Sequence, residues 1–333
     1  AHDYANYVAR FGMGNFQIQV VMKLDGKLDF DKLSKAVRLS VDAEPVLGCK
    51  FVENDPPYWK RIEDIDNTVF CTMEEYESSE EAEKAADEFL QSPLDMDLDP
   101  LVKLRLIRSD RQDMIIIKMN HACSDGSGVK DYVELLSHIY NCINSDKGEY
   151  VPIPGKRSRE DHWKAFRTLG IKYPELDMSV VEHPRTVWPF PWNKGCYKYT
   201  TPFVIRRLPR GQVSVLSKYA KQRNATINDL IITAMYRTLF RLIKPPYGIP
   251  MDIGLTVDLR RYLPEKKAEA IRNFSGGIVL SLPRMPGETF EKTLSRVVSL
   301  MKYKKSKNPG HECATGAEKA EKLKFSMFLS FAK

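Results

Sequence analysis

Apolar and polar positions alternate along this chain in two rhythms. A period of two predicts strands, and a period near 3.6 predicts helices. The sharpest change of rhythm runs from Met114 to Ile143. Met114 to Met119 is β-branched, apolar and short, as a buried strand is. Asn120, His121, Ala122, Cys123, Ser124, Asp125 and Gly126 then interrupt it with small and polar residues. Val129, Tyr132, Val133, Leu136, Ile139, Tyr140 and Ile143 recur at steps of three and four, which marks one face of a helix. Asp125 or Ser127 can cap that helix, and Gly126 and Gly128 permit a tight turn ahead of it.

The same reading extends in both directions. Phe16 to Leu24 alternates as a strand, Asp25-Gly26 turns it, and Phe30, Leu33, Ala36, Val37 and Val41 give a helical stripe with Asp29 or Asp31 at its start. A strand around Cys49 to Val52 follows, then an acidic, Ala-rich helix from Ser78 to Leu90 capped by Ser78 or Ser79. Val102 to Arg108 and Met114 to Met119 form an expected hairpin that delivers His121 to a strand end. Beyond it, Lys147 to Pro202 is rich in proline, carries three of the four tryptophans and shows little periodicity, as a crossover between two lobes would.

Periodicity resumes with a strand from Tyr197 to Leu208, a helix marked by Val213, Leu216 and Tyr219, and a second helix that Thr226 caps. Met251 to Val257 reads as a strand that ends in Asp258-Leu-Arg260-Arg261-Tyr-Leu-Pro264. Asn273-Phe-Ser275-Gly-Gly277 precedes another strand, Ile278 to Leu282, and a helix carrying Phe290, Leu294, Val297, Val298 and Met301. Strands and helices intermingle throughout, which predicts the α/β class.

Composition narrows the picture. A chain of 333 residues with 43% hydrophobic and 29% charged residues has the make-up of a soluble globular protein of one large or two ordinary domains. No run approaches the ~18 apolar residues that span a bilayer. The chain begins Ala1-His-Asp-Tyr, with no secretory pattern and no initiator Met, which leaves room for residues ahead of position 1. Six scattered cysteines without a Cys-x-x-Cys pair point to reduced thiols in a cytoplasm and against a zinc site. The net charge of +7 is dispersed, and the basic runs lack stacking aromatics, so nucleic acid is not an expected partner. The carboxylates from Asp95 to Asp99 lack the spacing of a calcium loop, and no metal is expected. His162 and His183 have no neighbours that would complete a site, and Cys123 reads as filler.

An imidazole and a carboxylate four residues apart on a strand-to-helix loop are, by themselves, as readily a surface histidine and a helix cap as a site. The literal string is more specific. Asn120-His-Ala-Cys-Ser-Asp-Gly126 resembles the His-His-x-x-x-Asp-Gly signature of the chloramphenicol-acetyltransferase-like superfamily, which includes peptide-synthetase condensation domains, alcohol acyltransferases and plant acyltransferases. Asn120 stands where the signature has its first histidine. The stretches around Pro93-Leu94-Asp95, Ala225 to Ala234 and Asp258-Leu-Arg260 are similar to the same family. Relatives run on beyond this point, and the Asp-Phe-Gly-Trp-Gly element of the plant-type members does not occur, so the chain is expected either to end early or to omit a terminal portion.

The resemblance implies two similar lobes, each a mixed sheet with flanking helices, and an active-site channel between them. Residues 1–146 would form the N-terminal lobe with the motif, 147–200 the crossover, and 201–333 a C-terminal lobe that is complete or truncated. It implies His121 as general base, with Asp125 and Gly126 completing the catalytic motif. Asp125 would form a structural ion pair with Arg260, and Asn120, Asn273 and Ser275 are candidates for the substrate channel. The implied reaction moves an acyl group from a thioester, on coenzyme A or a phosphopantetheinyl carrier, to a hydroxyl or amine acceptor, with no permanently bound cofactor. An acyltransferase acting on a free small molecule is the main expectation. A condensation-type amide former working with acyl or peptidyl carrier proteins, and a non-catalytic binding protein that kept the fold, are the alternatives.

Overall fold

The computed structural model describes residues 3, 7–8, 17–110, 112–145, 149–158, 161–170, 188, 204–311 and 324–330. The chain divides into two compact units. One takes in 1–176, 258–275 and 314–333, and the other takes in 177–257 and 276–313.

The first unit is built on a four-stranded sheet in the order β1 (Gln17–Lys23), β6 (Asp113–Asn120), β5 (Val102–Arg108), β4 (Cys71–Glu75). β1 and β5 flank β6 antiparallel, and β4 adds to β5 in parallel, so the sheet is mixed. Every residue of β6 is buried. Ile115, Ile117 and Met119 face α1 (Phe30–Ala43) and α3 (Gly126–Asn144), whereas Met114 and Ile116 face α2 (Ser79–Gln91). Cover on both faces explains why this strand reads as an unbroken apolar run. Lys118 shares the α2 face, where its ammonium donates to the Ser92 carbonyl and hydroxyl at 2.6 and 2.8 Å. Burial, with Arg105 and Lys103 nearby, pulls its pKa down to about 8.

The predicted caps form. Asp29 accepts from Lys32 N–H and Ser78 from Glu81 N–H, each satisfying a donor at a helix start. A small antiparallel pair, β2 (Cys49–Val52) and β3 (Tyr58–Arg61), lies apart from the main sheet. α4 (Asp161–Thr168) is a short helix in the stretch expected to be the crossover, most of which lies outside the described residues.

β7 (Pro250–Asp258) pairs with β8 (Ser275–Pro283), and all but Asp258 and Ser275 of these strands lie in the second unit. Flanking hydrogen bonds from Gly248 N–H to Arg284 O and from Leu259 N–H to Phe274 O run the two strands in opposite directions. α6 (Ile227–Ile243) and α7 (Phe290–Lys305) cover the pair through Ile232, Tyr236, Phe240, Val297 and Met301. The Tyr236 hydroxyl donates to Leu280 O at 2.6 Å and so ties α6 to β8. α5 (Gln212–Lys221) packs through Ala220 against Leu230, Leu294 and Val298. Thr226 and Asp229 form a reciprocal capping box on α6.

The strand expected from Tyr197 to Leu208 is not seen. Residues 197–203 lie outside the described residues, and residues 204–208 are exposed and without strand pairing. Apolar alternation alone does not make a strand where no partner edge receives it. α8 (Phe325–Ser330) belongs to the first unit and sets Phe325 beside Tyr7 and Phe51. Among the described residues no helix is long and apolar enough to cross a membrane.

A close backbone approach in the second unit gives a test of the packing. A Cβ at Gly276 would collide with the O, C and Cα atoms of Gly310, none of which can rotate away. Gly276→Ala should therefore cost about 1–3 kcal/mol in urea denaturation. Gly254→Ala, whose methyl meets no described atom within 4 Å, should stay within about 0.5 kcal/mol. Equal stability of the two variants would sink the argument.

Candidate active site

The loop at the end of β6 is shaped by its own short side chains. Asn120 Oδ1 accepts from Ala122 N–H at 2.9 Å, and Asn120 O accepts from Cys123 N–H at 3.2 Å. This closes a tight turn with His121 at its apex. Asn120, a candidate for the substrate channel, is 3% exposed with its amide folded into that turn. An amide is as good a turn former as it is a substrate ligand, and the sequence alone does not separate the two. Cys123 is buried and its thiol donates to Asn120 O, while burial pushes its pKa up to about 12. A thiol held protonated in this way is no nucleophile.

Asp125 caps α3 through Oδ1, which accepts from Gly128 N–H at 2.7 Å. Its other oxygen accepts from Arg260 Nη1 at 2.9 Å and from Phe274 N–H at 2.7 Å. Asp125 is 4% exposed, and its carboxylate accepts from three donors. Arg260, also 4% exposed, donates in addition to Asp258 Oδ1 at 3.2 Å and to Arg272 O at 2.9 Å. Asp131 lies 3.8 Å from its Nε. Arg261 is the residue that faces outward. A second tie runs from Ser127 Oγ to Asp258 Oδ2 at 2.7 Å.

Asn273 and Ser275 complete the cluster. Asn273 Nδ2 lies 3.1 Å from His121 Nδ1 and 3.3 Å from His121 O. Ser275 donates to Asn273 Oδ1 from its backbone N–H at 3.2 Å and from its hydroxyl at 2.6 Å. The structure thus brings His121, Asp125, Arg260, Asn273 and Ser275 together, all within the first unit. Gly126 opens α3 beside them, is exposed, and a Cβ there would meet no described atom within 4 Å. Gly128 has less room, because a Cβ would press on Ser124 Oγ and on Arg272 O. Among the described residues no group of histidine, cysteine and carboxylate side chains is placed to hold a metal ion.

Two supporting residues carry no periodic or motif signal. Arg157 donates to Cys123 O at 3.0 Å and also to Ile271 O, and so ties the back of the His121 loop to the 271–275 segment. Its other amino group donates to both Asp3 oxygens at 2.8 and 2.9 Å. Glu44, just past α1, accepts from Ile271 N–H at 3.0 Å. Burial pushes the Glu44 carboxyl up to about 7, with the Ile271 N–H and Arg157 acting against that rise.

An acid whose folded pKa is raised binds its proton more tightly in the folded chain. Its destabilising effect is absent below the ordinary glutamate value of 4.5, grows as pH rises, and is complete above about 7. Glu44→Gln keeps an acceptor for Ile271 N–H and removes the titration. The variant should match the parent at pH 4 and be more stable at pH 8 by roughly 3 kcal/mol in urea melts. A constant difference across that range would refute the assignment.

Residues 12–164 match the family model described as Condensation domain. The first condensation domain of the calcium-dependent antibiotic synthetase, in complex with substrate analogue 3a, superposes with a TM-score of 0.69 at 18% identity. That match covers 96% of this chain and 76% of the other. The chain has the chloramphenicol-acetyltransferase-like fold. Polyketide synthase associated protein 5 from Mycobacterium tuberculosis shares this fold, with a TM-score of 0.64 at 18% identity over 93% of this chain and 73% of the other.

Among characterised proteins, surfactin synthase subunit 1 of Bacillus subtilis (strain 168) is 22% identical over 234 residues, 66% of this chain but 6% of that protein. Phthiocerol/phthiodiolone dimycocerosyl transferase of Mycobacterium leprae (strain TN) is 24% identical over 256 residues, 73% of this chain and 59% of that enzyme. The chain therefore spans a small part of the synthetases it matches and under two thirds of the transferase.

Proposed function

We propose that this chain is a condensation-type acyl transferase. It would join an acyl or peptidyl group, held as a thioester on a phosphopantetheinyl carrier protein, to the nucleophile of an acceptor at His121. The observation that carries this reading is that the condensation family match, 12–164, takes in the whole His121–Gly126 loop. The clasp of Asp125 by Arg260 and Phe274 N–H supports it, because it holds a half-buried imidazole on a rigid mount. Such a site works by positioning both substrates against one group and needs no acyl-enzyme. The acceptor forms its bond to the thioester carbonyl, the carbon–sulfur bond breaks, and the carrier departs as a thiol.

The test supplies the purified chain with an acyl-loaded donor carrier and an aminoacyl-loaded acceptor carrier, and follows the condensed product by mass spectrometry. Parallel reactions replace the donor by acyl-CoA and the acceptor by a free amine or alcohol. Product confined to carrier-bound donors supports the reading. Equal turnover with acyl-CoA would return the reaction to a free small-molecule acyltransferase, for which the similarity to the dimycocerosyl transferase speaks. No product in any arm would leave a binding protein.

A further inference from the structure

We propose that the cavity at the C-terminal end of α6 binds an organic phosphate, one that joins two or more negative charges to an apolar body. The cavity has a volume of about 880 Å³, within the range of small-molecule pockets. All of its lining residues lie in the second unit, so none belongs to the cluster around His121. The site stands whatever reaction His121 serves.

Four cations line it: Arg237 and Arg241 from α6, Lys244 from the cap of that helix, and Arg284 from the chain just past β8. Among the described residues none of the four has a carboxylate within ion-pair distance. Glu288, the one acid on the described wall, is already taken. Its two oxygens accept from Arg296 Nη1 at 2.8 and 3.0 Å, and Oε2 also accepts from the Thr293 hydroxyl at 3.1 Å. Two of the guanidinium groups are held in place. Arg237 Nη1 donates to Glu288 O at 2.6 Å, and Arg284 lies over the Tyr247 ring, 4.6 Å from its centroid. Each keeps further N–H groups for a ligand.

Positive side chains at the carbonyl end of a helix also offset its dipole. That accounts for Arg241 and Lys244, in and just after the last turn of α6. It does not account for Arg237, a turn further back, or for Arg284, which follows the strand. A single carboxylate would leave most of this charge unbalanced. A diphosphate brings two or more charges, with oxygens spaced for the planar forks of arginine. Leu242, Tyr247 and Met285 line the same cavity and are 51%, 54% and 43% exposed. An aromatic base or an alkyl chain attached to the phosphate would cover that apolar surface.

The test is calorimetric titration of the full chain, at low ionic strength, with inorganic pyrophosphate, ADP, geranyl diphosphate and citrate. Pyrophosphate should bind, and ADP or geranyl diphosphate should bind at least about tenfold more tightly as its body is buried. A gain with ADP assigns an aromatic body, and a gain with geranyl diphosphate assigns an aliphatic one. No gain with either overturns the apolar half of the site. Citrate binding as tightly as pyrophosphate overturns the preference for phosphate. Arg284→Gln and Arg241→Gln should each weaken binding about tenfold. Arg241 is exposed, so its replacement tests the site without disturbing the fold. Lys302→Gln removes the same charge from an exposed position on α7 outside the cavity, and binding should not change. Equal weakening in all three variants would show a response to net charge alone and overturn the site, as would a parent chain that binds none of the diphosphates.

Discussion

Asp125→Asn should lower the unfolding free energy by about 3 kcal/mol and reduce turnover with it. The carboxylate accepts from Gly128 N–H on one oxygen and from Arg260 and Phe274 N–H on the other. An amide has a single acceptor oxygen, so its NH2 must confront donors on one side or the other. The cost falls on groups that water does not reach, since Asp125 and Arg260 are each 4% exposed. Asp258 and Asp131 remain near the guanidinium and keep the loss at the lower end of that for breaking a buried pair. Arg260→Lys should cost nearly as much, because an ammonium cannot reach both Asp125 and Arg272 O. Urea denaturation of both variants and of the double variant provides the check. Additive losses would mean that the two side chains are not coupled, and the clasp would then have no energetic content.

What the sequence makes legible here is whatever local pattern determines. β6, its loop and α3 are readable because a strand buried on both faces is uniformly apolar and the helix after it keeps its period. The caps at Asp29, Ser78 and Thr226 are readable because short oxygen-bearing side chains precede apolar stripes. β3 and β4 are not, since Tyr-Trp-Lys-Arg and Cys-Thr-Met-Glu-Glu show little alternation and owe their strand form to the edges they join. β4 is also what makes the sheet mixed, and a parallel partner cannot be inferred from its own residues.

The site divides in the same way. His121, Asp125 and Arg260 stand out through the resemblance of their strings, and the structure sets Asp125 against Arg260. Sequence order sets the segment 258–275 among the C-terminal residues, and contact clustering places it in the first unit. Leu259, Leu263 and Phe274 pack there with Ala165 and Phe166, a partnership between residues far apart in the chain. Arg157 and Glu44 escape sequence reading altogether. A charged residue normally signals a surface, and only the tertiary structure shows these two bonded to backbone groups that support the loop and the 271–275 segment.

His121→Ala should separate chemistry from stability. The ring is half-buried at the apex of a turn whose shape is set by Asn120, Asp125 and Gly128, not by the imidazole. Removing it leaves Asn273 Nδ2 its contacts with His121 O and Ser124 O, so the amide is not stranded. The variant should therefore unfold within about 1 kcal/mol of the parent, the usual range for a change away from the core. Turnover should fall by about 100- to 10,000-fold, the contribution typical of a positioned general base. The contrast with Asp125→Asn is the informative part: one variant loses activity alone, and the other loses activity together with several kcal/mol of the fold. Matched urea midpoints and product yields from the carrier assay read both quantities on the same preparations. Unchanged turnover would remove His121 from the reaction, and a stability loss equal to that of Asp125→Asn would make the imidazole part of the mount.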